Sequence, residues 1–175
     1  MELLKIKAYP FKELSSAARE RAKHDYFANF GYTSEQEAMA SLEAFAAHFG
    51  SKLIDYDVSW DGSSYSSAKF ADVEQDGDVN EEWLSALVAV LKHDGFCQFT
   101  GVCHDDDCNE GAVKAYNAGV REVQDLLEAG FRSWLKACQA DYAAQWEDGY
   151  FSETCEANEW LFYENGDVVS PRDLA

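Results

Sequence analysis

Proline is nearly absent from this chain, with two residues beside eleven glycines in a length of 175. That scarcity excludes collagen-like, linker-rich and proline-motif sequences. Basic residues are also few, 14 Lys and Arg against 33 Asp and Glu. A chain this acidic is repelled by anionic membrane surfaces and by nucleic acid itself. No apolar run approaches the roughly 20 residues of a membrane span. The opening residues lack the basic, apolar and small-residue sections of a secretory signal, so a cytoplasmic setting is expected. Cysteines number five, an odd count without framework spacing, and read as free thiols. There is no phosphate-binding glycine loop, no nucleophile elbow and no paired-histidine metal helix. Neither catalysis nor a cofactor is expected.

What the chain does have is apolar content of 47% and aromatic content of 14%, enough for a packed core in spite of the charge. The patterning predicts one α+β domain over residues 1–175, an antiparallel sheet with helices packed on it. Leu3 to Tyr9 alternates as a strand ending at Pro10. Ser15 is the expected N-cap of a helix carrying Ala18, Ala22, Tyr26 and Phe30, stopped by Gly31. Ser34 and Glu37 form a capping box ahead of the stripe Ala38, Leu42, Phe45, Phe49. From Lys52 to Trp60 the period changes to two. Ile54, Tyr56, Val58 and Trp60 share one face, and Ser66 to Val73 returns after the Asp61-Gly62-Ser63-Ser64 turn.

Asn80 is expected to cap a third helix with the stripe Leu84, Leu87, Val88, Leu91. Phe96 to Cys103 reads as strand and Asp105 to Gly111 as loop. Tyr116 to Trp146 carries the longest helical pattern, with Gly119 and Gly130 as points of kink or break. Ser152 to Asn158 is a short helix. Trp160 to Tyr163 and Asp167 to Val169 flank Asn165-Gly166, the signature of a C-terminal β-hairpin.

Charge is the main functional clue. Asp72 to Asp167 holds 22 Asp and Glu against 5 Lys and Arg, whereas the first thirty residues are slightly basic. Its net of 17 negative charges equals that of about 29 Å of duplex DNA at one charge per 1.7 Å. A globule of this length is about 40 Å across. Carboxylates gathered on one side would therefore match DNA in charge density. They would steer the protein into a basic nucleic-acid groove. The candidate partner-binding residues are Asp72, Glu74, Asp76, Asp78, Glu81, Glu82, Asp105, Asp106, Asp107, Glu122, Asp125 and Glu128. The last three recur every third residue along one helix face.

Two metal readings compete with this. Asp72, Glu74, Asp76, Asp78 and Asn80, with Gly77 in sixth place, approach a calcium loop; Trp83 stands where a bidentate Glu belongs. An acidic loop opening a helix accounts for the same residues. Cys103, His104 and Cys108 have zinc-ligand chemistry, but no second Cys or His pair follows at a usable spacing. No metal is expected.

Several segments carry a resemblance. Phe11-x-Glu13-Leu14-Ser15-x-x-Ala18-x-x-x-Ala22, Ile54-x-Tyr56-x-Val58-Ser59-Trp60 with Ser67-Ala68-x-Phe70, and Glu156-Ala157-Asn158-Glu159-x-x-Phe162-x-x-Asn165-Gly166 together resemble a group of small tailed-phage and prophage proteins. The group is sometimes labelled antitoxin-like. The resemblance implies a phage setting and supplies no catalytic residues. The resulting expectation is a non-enzymatic inhibitor, an anti-CRISPR or anti-restriction protein. Its acidic surface would mimic nucleic acid and block a basic nucleic-acid-binding host protein. The alternatives are an antitoxin-like protein with an apolar, aromatic interface and a calcium-binding module at residues 72–83.

Overall fold

Ser15 does what its position predicts: its hydroxyl accepts from the Ala18 amide at 3.3 Å and opens α1, Ser16–Phe30. Gly31 closes that helix at φ 61°, a backbone that favours glycine. The computed structural model describes residues 7–73, 80–92, 99–100 and 104–170. Among them the remaining elements are α2 (Glu35–His48), β1 (Leu53–Asp57), β2 (Ser67–Phe70), α3 (Glu81–Leu91), α4 (His104–Asn117), α5 (Val123–Gln145) and α6 (Asp148–Ala157). The class is mixed α+β, with helix predominating. The described residues divide into two compact units. One is continuous, Ser34–Tyr142; the other joins Met1–Thr33 to Ala143–Ala175. No helix among the described residues is long and apolar enough to cross a membrane.

In the continuous unit, Ala38, Leu42 and Phe45 of α2, with Phe49 just beyond, are fully buried. Ser34 occupies the N-cap of α2 without the side-chain cap bond a capping box calls for. The Trp134 indole of α5 is buried and donates to Ala38 O at 2.9 Å. Asn80 caps α3 by accepting from Trp83 N at 2.9 Å. The sheet is only the antiparallel pair β1–β2, with Tyr56 opposite Ala68 and Asp57 opposite Ser67. Its turn is tied by Asp61, which accepts from Ser59 and Ser63 and whose carboxyl those bonds pull down to about 2. Trp60 packs edge-on to Trp134 and anchors the turn end of the ribbon. Along β1, Ile54 and Tyr56 face solvent, 56% and 46% exposed.

One expectation is overturned here. Asp105 to Gly111 is helix within α4, not loop. Three aspartates in a first turn complement the helix dipole, and Gly111 is there for packing: a Cβ on it would lie 2.4 Å from Ala129 O of α5. The pattern from Tyr116 to Trp146 divides at one of its two expected break points. It breaks between Asn117 and Val123, where Gly119 adopts φ 100°. Gly130 stays helical because its missing side chain makes room for the Phe45 ring.

In the discontinuous unit, Phe11 and Phe162 are buried beside Phe151 of α6, whose ring centroid is 4.9 Å from that of Phe11. The expected C-terminal β-hairpin is not formed. The C-terminal part is helix α6 followed by two isolated bridges, Tyr9↔Phe162 and Phe162↔Val168. Phe162 serves both partners within a short segment, so no ladder propagates. Gly166 turns at φ 95° tight against α1, where a Cβ would meet Ala18 O at 2.3 Å. The expected strands at Leu3 to Tyr9 and Phe96 to Cys103 fall largely outside the described residues.

One strained residue stands out. After α6, Glu159 takes φ 56°, and the Trp160 amide donates to Cys155 O at 2.9 Å. Glycine is the residue suited to this helix-ending geometry. Glu159→Gly is expected to stabilise the protein by about 0.5–1 kcal/mol, raising the urea midpoint without changing the slope.

Candidate acidic surface

The acidic stretch of the sequence is sorted by the fold into parts with different surroundings. The late carboxylates, from Glu147 to Asp167, belong to the discontinuous unit, and two of them, Asp148 and Asp167, meet the basic face of α1. Arg19 bridges Asp148 at 2.9 Å, and Arg21 bridges Asp167 at 2.9 Å. Lys12 pairs with Glu156. Lys23, though buried, reaches Asp148 at 2.8 Å and Glu20 at 2.7 Å. By sequence this unit carries 12 Asp and Glu against 7 Lys and Arg.

The continuous unit has 21 Asp and Glu against the same 7 Lys and Arg. Its exposed candidates form two groups. Arg121 joins the first: Nε lies 3.3 Å from Glu81 at the start of α3, and Nη1 donates to Tyr116 O and Val120 O. Gln124 Nε2 donates to Ala71 O at 2.8 Å, which fixes the end of β2 beside the first turn of α5. Asp72, Glu81, Glu82, Glu122 and Asp125 are exposed around this junction. Glu128, one turn on, is part-buried and bridged to Arg132 at 2.9 Å.

Asp106, exposed, and Asp107, part-buried, form the second group, in the first turn of α4. They lie about 15 Å along that helix from the Arg121 junction, at 1.5 Å rise per residue. Here His104 Nδ1 lies 3.3 Å from Asp107 Oδ2 and 3.6 Å from Cys138 Sγ. The hydrogen bond to Asp107 raises the imidazole's pKa against the opposing effect of burial, with Asp141 and Glu37 adding to the rise. Glu37 and Asp141 were missed from sequence. They come from other helices, and no linear spacing joins them to α4.

Asp105 is the correction. It is fully buried and accepts from Phe99 N at 2.9 Å, Thr100 N at 2.7 Å and Thr100 Oγ1 at 2.9 Å. Burial pushes this carboxyl up, yet the donors from Ser41, Thr100 and Phe99 hold it below its ordinary value. It ties the preceding bend to α4 and offers nothing to a partner. Glu74, Asp76 and Asp78, which also carry the calcium reading with Asp72, lie outside the described residues. Among the described residues no group of three or more His, Cys, Asp or Glu is placed to hold a metal ion. No family model, curated protein or solved structure matches this chain.

Proposed function

We propose that this protein is a non-enzymatic binding inhibitor that acts in a bacterial cytoplasm. It presents the carboxylates of its continuous unit to a basic nucleic-acid-binding host protein of the anti-CRISPR or anti-restriction target class. The supporting observation is the uneven compensation of charge. Asp148 and Asp167 of the discontinuous unit meet bases of α1, while residues 34–142 keep an excess of 14 negative charges. Exposed carboxylates engage cations that otherwise hold phosphates, and they steer encounter from a distance.

A toxin-neutralising role through an apolar interface is the second reading. It is favoured by Ile54 and Tyr56 facing solvent on β1, with Tyr65 83% exposed at the turn. Salt separates the two. Proteins captured from host lysate by the mimic should dissociate about tenfold more readily at 200 than at 50 mM salt and be displaced by duplex DNA. The double variant Glu122→Lys, Asp125→Lys should lose them, and Ile54→Ser should not. Capture that ignores salt and fails in Ile54→Ser would overturn the mimic reading.

A further inference from the structure

The discontinuous unit contains a cavity of about 360 Å³ beside α1. Its walls are the rings of Tyr26, Phe30, Phe151, Trp160 and Phe162. The volume falls within the range of small-ligand sites, roughly 300–1,000 Å³. Tyr26 is the hub: its ring centroid lies 4.9 Å from that of Phe30, 5.3 Å from Phe151 and 5.4 Å from Trp160. Phe30 stands at the mouth, 66% exposed, although its place in the helical stripe of α1 predicted a core residue. Asp25 is the one charged side chain lining the cavity among the described residues. Its own-chain contacts are loose, Arg21 Nε at 3.7 Å and His24 Nδ1 at 3.8 Å, and Arg21 reaches closer to Asp167.

We infer that this cavity binds an alkylated ammonium ion. Ring faces carry negative potential and attract a cation held over them. Alkyl substituents supply the apolar surface the rings prefer and lower the cost of removing the cation from water. One carboxylate at the rim balances the charge, while a small hydrated metal ion would find too few oxygens here. Trp160 enters the wall directly after Glu159, whose positive φ ends α6. This site is separate from the acidic groups of residues 34–142 and stands or falls without them.

The experiment is an NMR titration of the full-length protein, following the Trp160 indole N–H, with choline, with its neutral isostere 3,3-dimethylbutanol, and with a trimethyl-lysine peptide. Choline or the peptide should bind about tenfold more tightly than the neutral alcohol. Binding of both cations identifies the ammonium group as the recognised part. Binding of the peptide alone assigns the source to a protein side chain, and of choline alone to a free small molecule. Asp25→Asn should lower cation binding about fivefold and leave the alcohol unchanged. Phe30→Ala removes an exposed wall ring without touching the core and should weaken the cation as well. Equal binding of alcohol and cation, or no shift of Trp160 at about 10 mM of every probe, overturns the inference.

Discussion

Gly111→Ala should destabilise the protein by about 2–4 kcal/mol, although alanine is the better helix former. The added methyl would lie 2.4 Å from Ala129 O and 2.6 Å from Ser133 Cβ. The first of these is backbone, so no rotamer change relieves it. To accept the group α4 must lift from α5, which loosens the packing of Cys108 and Ala112, both fully buried on α4. Propensity alone would give a gain of about 1 kcal/mol, so the sign of the measured change is decisive. A fall in the urea midpoint supports the close helix approach; a rise refutes it. Gly149→Ala in α6, with nothing within 4 Å of the added carbon, is the control and should not lower stability.

Asp105→Ala should cost about 1–3 kcal/mol, since it removes the shared acceptor of two part-buried amides and a hydroxyl. Asp105→Asn should recover part of that through its remaining carbonyl oxygen. The pH dependence gives an independent readout. A carboxyl held below its ordinary value in the folded state contributes stability above the unfolded pKa of about 3.9, and this is lost as pH falls through the folded value. The wild type should therefore lose stability on acidification in excess of Asp105→Ala. Parallel curves for the two would count against a charged Asp105. Partner binding by folded Asp105→Asn should equal wild type, because the group is not on the surface.

Local signals translated well into structure where the physics is itself local. Ser15 and Asn80 cap their helices, Gly31 ends α1, and Asp61 organises the predicted turn. Period-two alternation located β1, but it says only which side chains share a face. Whether another layer covers that face is a tertiary matter, and for Ile54 and Tyr56 none does among the described residues. Glycine was ambiguous for the same reason. Gly119 breaks a helix by its backbone, whereas Gly111 and Gly130 sit inside helices because neighbours occupy the space of a side chain.

Charge was the least legible feature. Summed along the chain, the acids form one block. In space, Asp148 and Asp167 find α1 bases more than a hundred positions earlier, and Asp105 is withdrawn into the interior. The aromatic cavity left no linear signature, since α1, α6 and the segment after it supply its walls separately.

The discontinuous unit also sets an order in which the chain can become compact during synthesis. Residues 34–142 close within one continuous segment. The α1 side chains Ala22 and Phe27 emerge early, but Phe27 stacks on Trp146 at 4.3 Å and Gly166 completes the contact with Ala18. At about 5–20 residues per second the ribosome adds the intervening stretch in roughly 5–20 s. For that interval the apolar face of α1 stays open to water and to chaperones, flanked by Arg19 and Arg21, whose partners Asp148 and Asp167 do not yet exist.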